Sequence, residues 1–256
     1  MTLPARPPVT VPVTCRSLTL LLATLAVSTA GACQSTAEER TPATSASASA
    51  PAAGAASAAG TATAGSATDS ALRVVADRGR IAGAESAKVW ILIVSDFECP
   101  YCKKWHDDTY ATLHREYVET GKVRMAYLNF PLPQHEQAMP AANAAMCASA
   151  QNKFWQYQTA LFEQLSTWAK PGDQSAAFEA LGQRVGADVS ALRACMRSNA
   201  MRPLIEADKD RSSRAGVEST PTFIVGTTRM SGALPAADFR RVLDSALAAT
   251  ANAGAR

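Results

Sequence analysis

Apolar length is short in this sequence. The run near the N terminus, Leu18 to Val27, falls below the ~20 residues that a spanning helix needs. Net charge is slight, +3 at pH 7 over 256 residues, which is too mild a balance to argue for nucleic acid as a partner. Histidine is scarce: three residues, of which only His106, four positions after Cys102, stands at helical spacing from a cysteine. A structural zinc site needs four ligands, so no metal site is assigned and no cofactor is expected. Aromatic residues are 6% of the chain and none falls between Gln34 and Ser70, which leaves that stretch without material for a core. The same stretch has no heptad pattern, so no dimerisation segment is visible and a monomer is expected.

What is present begins with an export signal. Arg6 and Arg16 precede the apolar run, no acid occurs before it, and small residues Ser28 to Ala32 follow. Residues 1–32 read as a secretory signal peptide. Cys33, directly after Ala30-Gly31-Ala32, resembles the lipobox cysteine of bacterial lipoproteins, although Ala30 stands where leucine is usual. That resemblance implies a lipid anchor on Cys33; ordinary cleavage nearby is the alternative. Either places the protein in the cell envelope or periplasm, where disulfides persist. Residues 33–70, rich in Ala, Ser, Thr and Gly, read as a disordered tether with a reach on the order of 35 Å.

The six cysteines then divide. Cys15 is lost with the signal and Cys33 is the lipidation candidate. Cys147 and Cys195 form one even pair in an exported domain, which suggests a disulfide, with two buried thiols as the alternative. Cys99 and Cys102 form a Cys-x-x-C between the apolar run Lys88 to Val94 and a segment that reads as helix from Pro100 to about Glu119. Cys99 at the N-cap, with Pro100 at the first helical position, places unpaired backbone N–H groups and the positive helix end at the Cys99 sulfur. Cys99 is the expected low-pKa nucleophile and Cys102 the resolving thiol.

Around this pair the chain reads as α/β. Arg80 to Gly83 is an edge-strand candidate, Lys122 to Phe130 the next strand, and residues 137–215 a long helical region. Within that region the segment Leu204 to Arg214 is mostly charged and is expected at the surface. Gly216 to Gly226 is a strand with Pro221 near its start, Thr228 to Gly232 a paired strand, and Phe239, Val242, Leu243 and Leu247 mark the final amphipathic helix. Trp105, Leu113, Tyr117 and Trp155 are expected in the core. Trp168 fits either the core or a substrate groove. His106 reads as a polar helix residue, His135 as structural, and Lys103-Lys104 as a solvated face.

The motif S-D-F-E-C-P-Y-C, the proline-ended second strand, the segment Asn152-Lys153-Phe154-Trp155 and G-V-E-S-T-P-T-F resemble, in order and spacing, the DsbA-like thioredoxin-fold oxidoreductases. The resemblance covers about Val75 to Leu247 within a domain of residues 71–252. It implies a thioredoxin fold with an inserted all-helical domain, a cis-proline at Pro221 opposite the cysteines, and a substrate-chain contact at Thr220. One departure is Ile93, which stands where many relatives carry a buried carboxylate; Glu98 or water is left as proton carrier. The reaction implied is thiol–disulfide exchange with exported proteins, in which the Cys-Pro-Tyr-Cys pair acts as disulfide donor and is recycled by a membrane redox partner. An envelope reductase or isomerase is the near alternative. A metal-binding or holdase lipoprotein on the same scaffold is the alternative from another class.

Overall fold

The computed structural model describes residues 60–254. The stretch read as signal peptide, Cys33 and the part of the expected tether up to residue 59 lie outside the described residues. Helix α1, Gly60–Gly79, begins inside the stretch expected as tether and takes in what reads as a short mixed segment. Its alanine-rich, glycine-containing sequence is a weak helix signal by itself. Packing supplies the rest: Leu72 packs on the core and Ala76 is fully buried. Gly79 makes the close approach possible, because a Cβ there would sit 2.5 Å from the Ser149 carbonyl oxygen.

Five strands follow the expected order along the chain: β1 Ile81–Ala82, β2 Val89–Ser95, β3 Val123–Asn129, β4 Thr222–Val225 and β5 Thr228–Ser231. In the sheet they lie as β1-β3-β2-β4-β5, with β2 and β3 parallel and every other pair antiparallel. The register sets the faces. Ile91 and Ile93 pair with Met125 and Tyr127, and Ile93 also with Phe223. These side chains enter the main core, whereas Val94, Phe130 and Val217 form a smaller cluster with Leu128 and Ile224.

The helical run after the cysteines extends over residues 100–118, as expected, but not as one uniform helix. It consists of α2, Pro100–Trp105, and α3, Ala111–Leu113, alternating with π-helical turns at His106–Tyr110 and His114–Val118. Gly121 ends it in the left-handed conformation, φ +72°. Trp105, Leu113 and Tyr117 are buried; Trp155 is half-buried; Trp168 is fully buried in the core.

Six helices separate β3 from β4: α4 Ala138–Ser149, α5 Phe154–Glu163, α6 Leu165–Trp168, α7 Ser175–Arg184, α8 Val189–Ser198 and α9 Arg202–Arg214. The final helix, α10, spans Ala236–Gly254. Cys147 on α4 and Cys195 on α8 are joined as a disulfide. The side chains of α4, α5, α7 and α8 share one continuous buried cluster with the sheet, so the insertion and the thioredoxin part have a common core.

Helix α9 departs from the surface position its charge suggests. Ile205, Asp208 and Ser212 are buried. The Asp208 carboxylate accepts from the Asn129 backbone N–H at 3.1 Å and Nδ2 at 3.2 Å, and forms a buried ion pair with Arg80. Arg211 adds a second cation at 2.6 Å. One inward acid thus ties α9 to β3 and to the start of β1, and buried charge of this kind persists only when paired. Asp208→Ala, which leaves buried Arg80 with only the half-exposed Asp77 and takes the acceptor from Asn129, is expected to cost roughly 3 kcal/mol in urea unfolding; an effect below about 1 kcal/mol is the result that contradicts this account.

Candidate active site

Strand β2 ends at Ser95 and delivers four residues into the turn before α2. Cys99 has the extended conformation of an N-cap, φ −71° and ψ 123°, with Pro100 at the first helical position. Both cysteines are free thiols and both are buried. The Cys99 Sγ lies 3.5 Å from the Thr220 carbonyl oxygen, across from β2 on the loop that opens β4. The Thr220–Pro221 peptide bond is cis. That loop is held from both sides: Thr222 Oγ1 donates to the Ser219 carbonyl at 2.7 Å, and the Gly232 N–H to the Pro221 carbonyl at 2.8 Å. The structure therefore brings together Cys99, Cys102, Thr220 and Pro221, as expected. Cys147 and Cys195 stand apart as a structural bridge, and Cys33 lies outside the described residues.

The two thiols are made unequal. Cys99 is lowered to about 6, first by the hydrogen bond from the Cys102 thiol, against the opposing effect of burial. Further stabilisation of its thiolate comes from the Thr220 side chain and from the backbone N–H groups of Cys102 and Tyr101. The helix end thus contributes, but the neighbouring thiol contributes more. Cys102 moves the other way: burial pushes it well above the ordinary range, reinforced by the charge forming on Cys99. The Asp96 N–H, 3.5 Å from the Cys102 Sγ, offsets only part of this.

Asp96 is the functional residue that the sequence hid within its motif. Its side chain is fully buried, and one carboxylate oxygen accepts from the Glu98 N–H at 2.7 Å. The other accepts from the Leu132 N–H and from His135 Nδ1, each at 2.8 Å. The carboxylate therefore shapes the turn before Cys99 and ties it to the loop after β3. Its sequence signal is an Asx turn, an acid two residues before the N–H it accepts from. His135 has the structural role expected of it. Glu98, the proton-carrier candidate, accepts from the Gln137 N–H at 2.6 Å and so anchors the start of α4.

Neighbouring side chains complete the setting. Ile93 is fully buried, so no acid enters from this position of β2. Phe97 points inward and stacks on Tyr127 at 4.9 Å. His106 is not a surface polar residue: the π-helical turn sets it inside, stacked on Tyr110 at 4.9 Å, and burial lowers it to about 4. It is neutral at pH 7. Lys103 and Lys104 pair with Asp107 and Asp108 at 2.7 and 2.6 Å on the outer face, as a solvated stripe. Tyr101, between the cysteines, is 64% exposed. Among the described residues no group of three His, Cys, Asp or Glu side chains is arranged to hold a metal ion.

A strand-to-helix Cys-x-x-C facing a cis-proline, on this sheet and with a helical insertion after β3, defines a DsbA-like thioredoxin-fold thiol–disulfide oxidoreductase. The chain belongs to the thioredoxin family, whose model matches residues 76–245. It is similar to the probable disulfide bond formation protein D of Bacillus anthracis, 25% identical over 149 residues, 56% of this chain and 67% of that protein. It also resembles part of the Na(+)/H(+) antiporter NhaA 3 of Salinispora tropica, 28% identical over 165 residues, 64% of this chain and 24% of the antiporter. The match spans about a quarter of that longer protein. Among solved structures, oxidised BdbD from Bacillus subtilis shares the fold, with a TM-score of 0.60 at 18% identity over 66% of this chain and 94% of that one.

Two expectations follow from the site. Alkylation of the reduced protein by iodoacetamide should rise at Cys99 with a midpoint near pH 6, and not near the ~8.5 of a free thiol. Because the folded thiol ionises more readily than the unfolded one, the dithiol form gains stability as pH rises from about 6 toward ~8.5 and loses it as pH falls back through about 6. Asp96→Ala leaves two backbone N–H groups and His135 without their acceptor and should cost roughly 2–4 kcal/mol, read by thermal or urea unfolding. Asp96→Asn, which keeps one acceptor, should recover part of that loss.

Proposed function

We propose that this protein is a cell-envelope oxidoreductase that donates the Cys99–Cys102 disulfide to exported proteins, held at a membrane through lipidated Cys33. The single observation that carries the donor direction is the lowered Cys99 thiol, about 6, beside a raised Cys102. A thiolate that is stable at working pH stabilises the dithiol product and so makes its disulfide more oxidising. Relative to an ordinary thiol near ~8.5, the ionisation of Cys99 at pH 7 favours the reduced form about tenfold, or about 30 mV.

In the donor reaction a substrate thiolate attacks Cys99 Sγ, the Cys99–Cys102 bond breaks, and Cys102 leaves with the electron pair. Its raised pKa means that it takes up a proton on leaving. A second substrate thiolate then attacks the substrate sulfur of the mixed disulfide and expels Cys99 as a thiolate. Two electrons have moved from substrate to enzyme, and a membrane redox partner must remove them. The Thr220 carbonyl, already beside Cys99, is placed to meet the backbone of the incoming chain. Tyr101 has no cationic donor to offer the thiolate, which sets the protein among the milder donors.

The test is the equilibrium redox potential of the Cys99–Cys102 pair in glutathione buffers. The expected value is nearer about −180 mV than about −120 mV. A value near about −270 mV would make the protein a reductant that needs an electron supply, and the donor reading would be wrong. Cys99→Ser should abolish exchange.

A further inference from the structure

Exchange asks Cys102 to leave as a thiolate from a place that disfavours charge. Its side chain is buried beside the apolar Ile93, and the Asp96 N–H reaches its sulfur only at 3.5 Å. A second donor stands close by. Ser95 is the last residue of β2 and, by strand alternation, shares the face of Ile91 and Ile93, which enter the same core as both cysteines. The chain continues from Ser95 into the Asp96 N–H that meets Cys102, so the strand ends at the inner sulfur. The Ser95 side chain is buried, and its hydroxyl is a hydrogen-bonding neighbour of that sulfur.

The neighbouring strand adds a hydroxyl on the same face. Tyr127 of β3 pairs with Ile93 in register and is fully buried. Its ring is fixed by Phe97, stacked at 4.9 Å, and by Phe154, tilted at 5.2 Å. Its hydroxyl is buried and closes no hydrogen bond in the dithiol form, although the Ser95 side chain is its neighbour too. A buried hydroxyl left open costs free energy, and a phenylalanine would fill the same space without that cost. Hydrogen bonds that serve a reaction are often long in the resting protein and tighten as charge develops. The charges nearest this hydroxyl are those of Cys102, Asp96 and Cys99.

Resting on the exchange reading, we infer that Ser95 and Tyr127 form a two-hydroxyl donor pair for the leaving sulfur: Ser95 Oγ–H donates to Cys102 Sγ as the Cys99–Cys102 bond breaks, and Tyr127 Oη–H donates to Ser95 Oγ. The incoming thiolate bonds to Cys99 Sγ, and the electron pair of the broken bond passes to Cys102 Sγ. Neither hydroxyl gives up its proton. Burial holds the Tyr127 phenol well above its ordinary range, so it remains a donor throughout. The proton that Cys102 finally takes arrives afterwards, from solvent or from the reacting thiols. Donors fixed in advance where charge develops lower the barrier without reorganising, and a chain of two hydroxyls polarises the one in contact with sulfur. Ser95 is then a catalytic residue, and Tyr127 a positioning residue that acts through it.

The test uses the oxidised full chain and reads two quantities: the second-order rate constant for reduction by dithiothreitol, and the equilibrium constant with glutathione. Ser95→Ala should slow reduction about tenfold, the lower end of what a hydrogen bond to a charged group is worth. Tyr127→Phe, which keeps the ring and its stacking, should slow it about threefold. In both variants the equilibrium constant should change less than about twofold, or about 10 mV, because Cys102 is protonated in the dithiol product and no longer needs the donors. Ser95→Thr keeps a hydroxyl at the same place and should hold the rate within about twofold of the unsubstituted protein. That rescue also serves if Tyr127→Phe does not fold. Unchanged rates in Ser95→Ala and Tyr127→Phe overturn the donor pair. So does equal slowing in Ser95→Ala and Ser95→Thr, or a rate loss matched by an equal shift in the equilibrium constant. Failure of the unsubstituted protein to exchange with either reagent instead removes the exchange reading beneath it.

Discussion

The Asp96 carboxylate is the joint on which the site depends. It is fully buried, yet it accepts from Glu98, Leu132 and His135, which together supply the donors a buried carboxylate needs. These contacts bind the turn after β2 to the loop after β3. The same residue turns its backbone N–H toward the Cys102 sulfur. The position of Cys99 at the head of the helix and the path of the chain into α4 are therefore two results of one constraint. Glu98 repeats the link one step further out, through Gln137.

On this frame the inequality of the two thiols follows from depth. They sit within one helical turn, so both feel the same helix end. Cys102 faces inward among buried side chains and loses solvation, whereas Cys99 faces the Thr220 loop and gains donors. The hydrogen bond between them amplifies the difference, since it serves the thiolate on one sulfur and requires the proton on the other. Ile93 removes the acid that would otherwise stand beneath the pair. A proton for Cys102 must then come from solvent or from the reacting thiols, which fits an inner cysteine that stays protonated.

Much of this arrangement was legible in the sequence, and what was hidden was hidden for physical reasons. Cys99, Pro100 and Cys102 are readable because their chemistry works only at that spacing before a helix. The strands are readable because their apolar runs have the length of buried strands. The role of Asp96 is hidden in the motif, because a lone acid before a helix looks like any cap until the loop it reaches, 36 residues on, is placed beside it. Helix α9 was read as a surface helix because composition averages over its faces, and one inward Asp208 does not alter an average. The start of α1 was missed because its propensity is weak and its helix depends on contacts with α4.

The helical insertion then acquires a physical reason for sharing the core of the sheet. A separately packed insertion would move with respect to the cysteines, and any chain lying across both would lose its register at the boundary. Here the buried cluster is continuous, Cys147 and Cys195 lock α4 to α8, and Glu98 holds the first residue before α4 to the turn that carries Cys99.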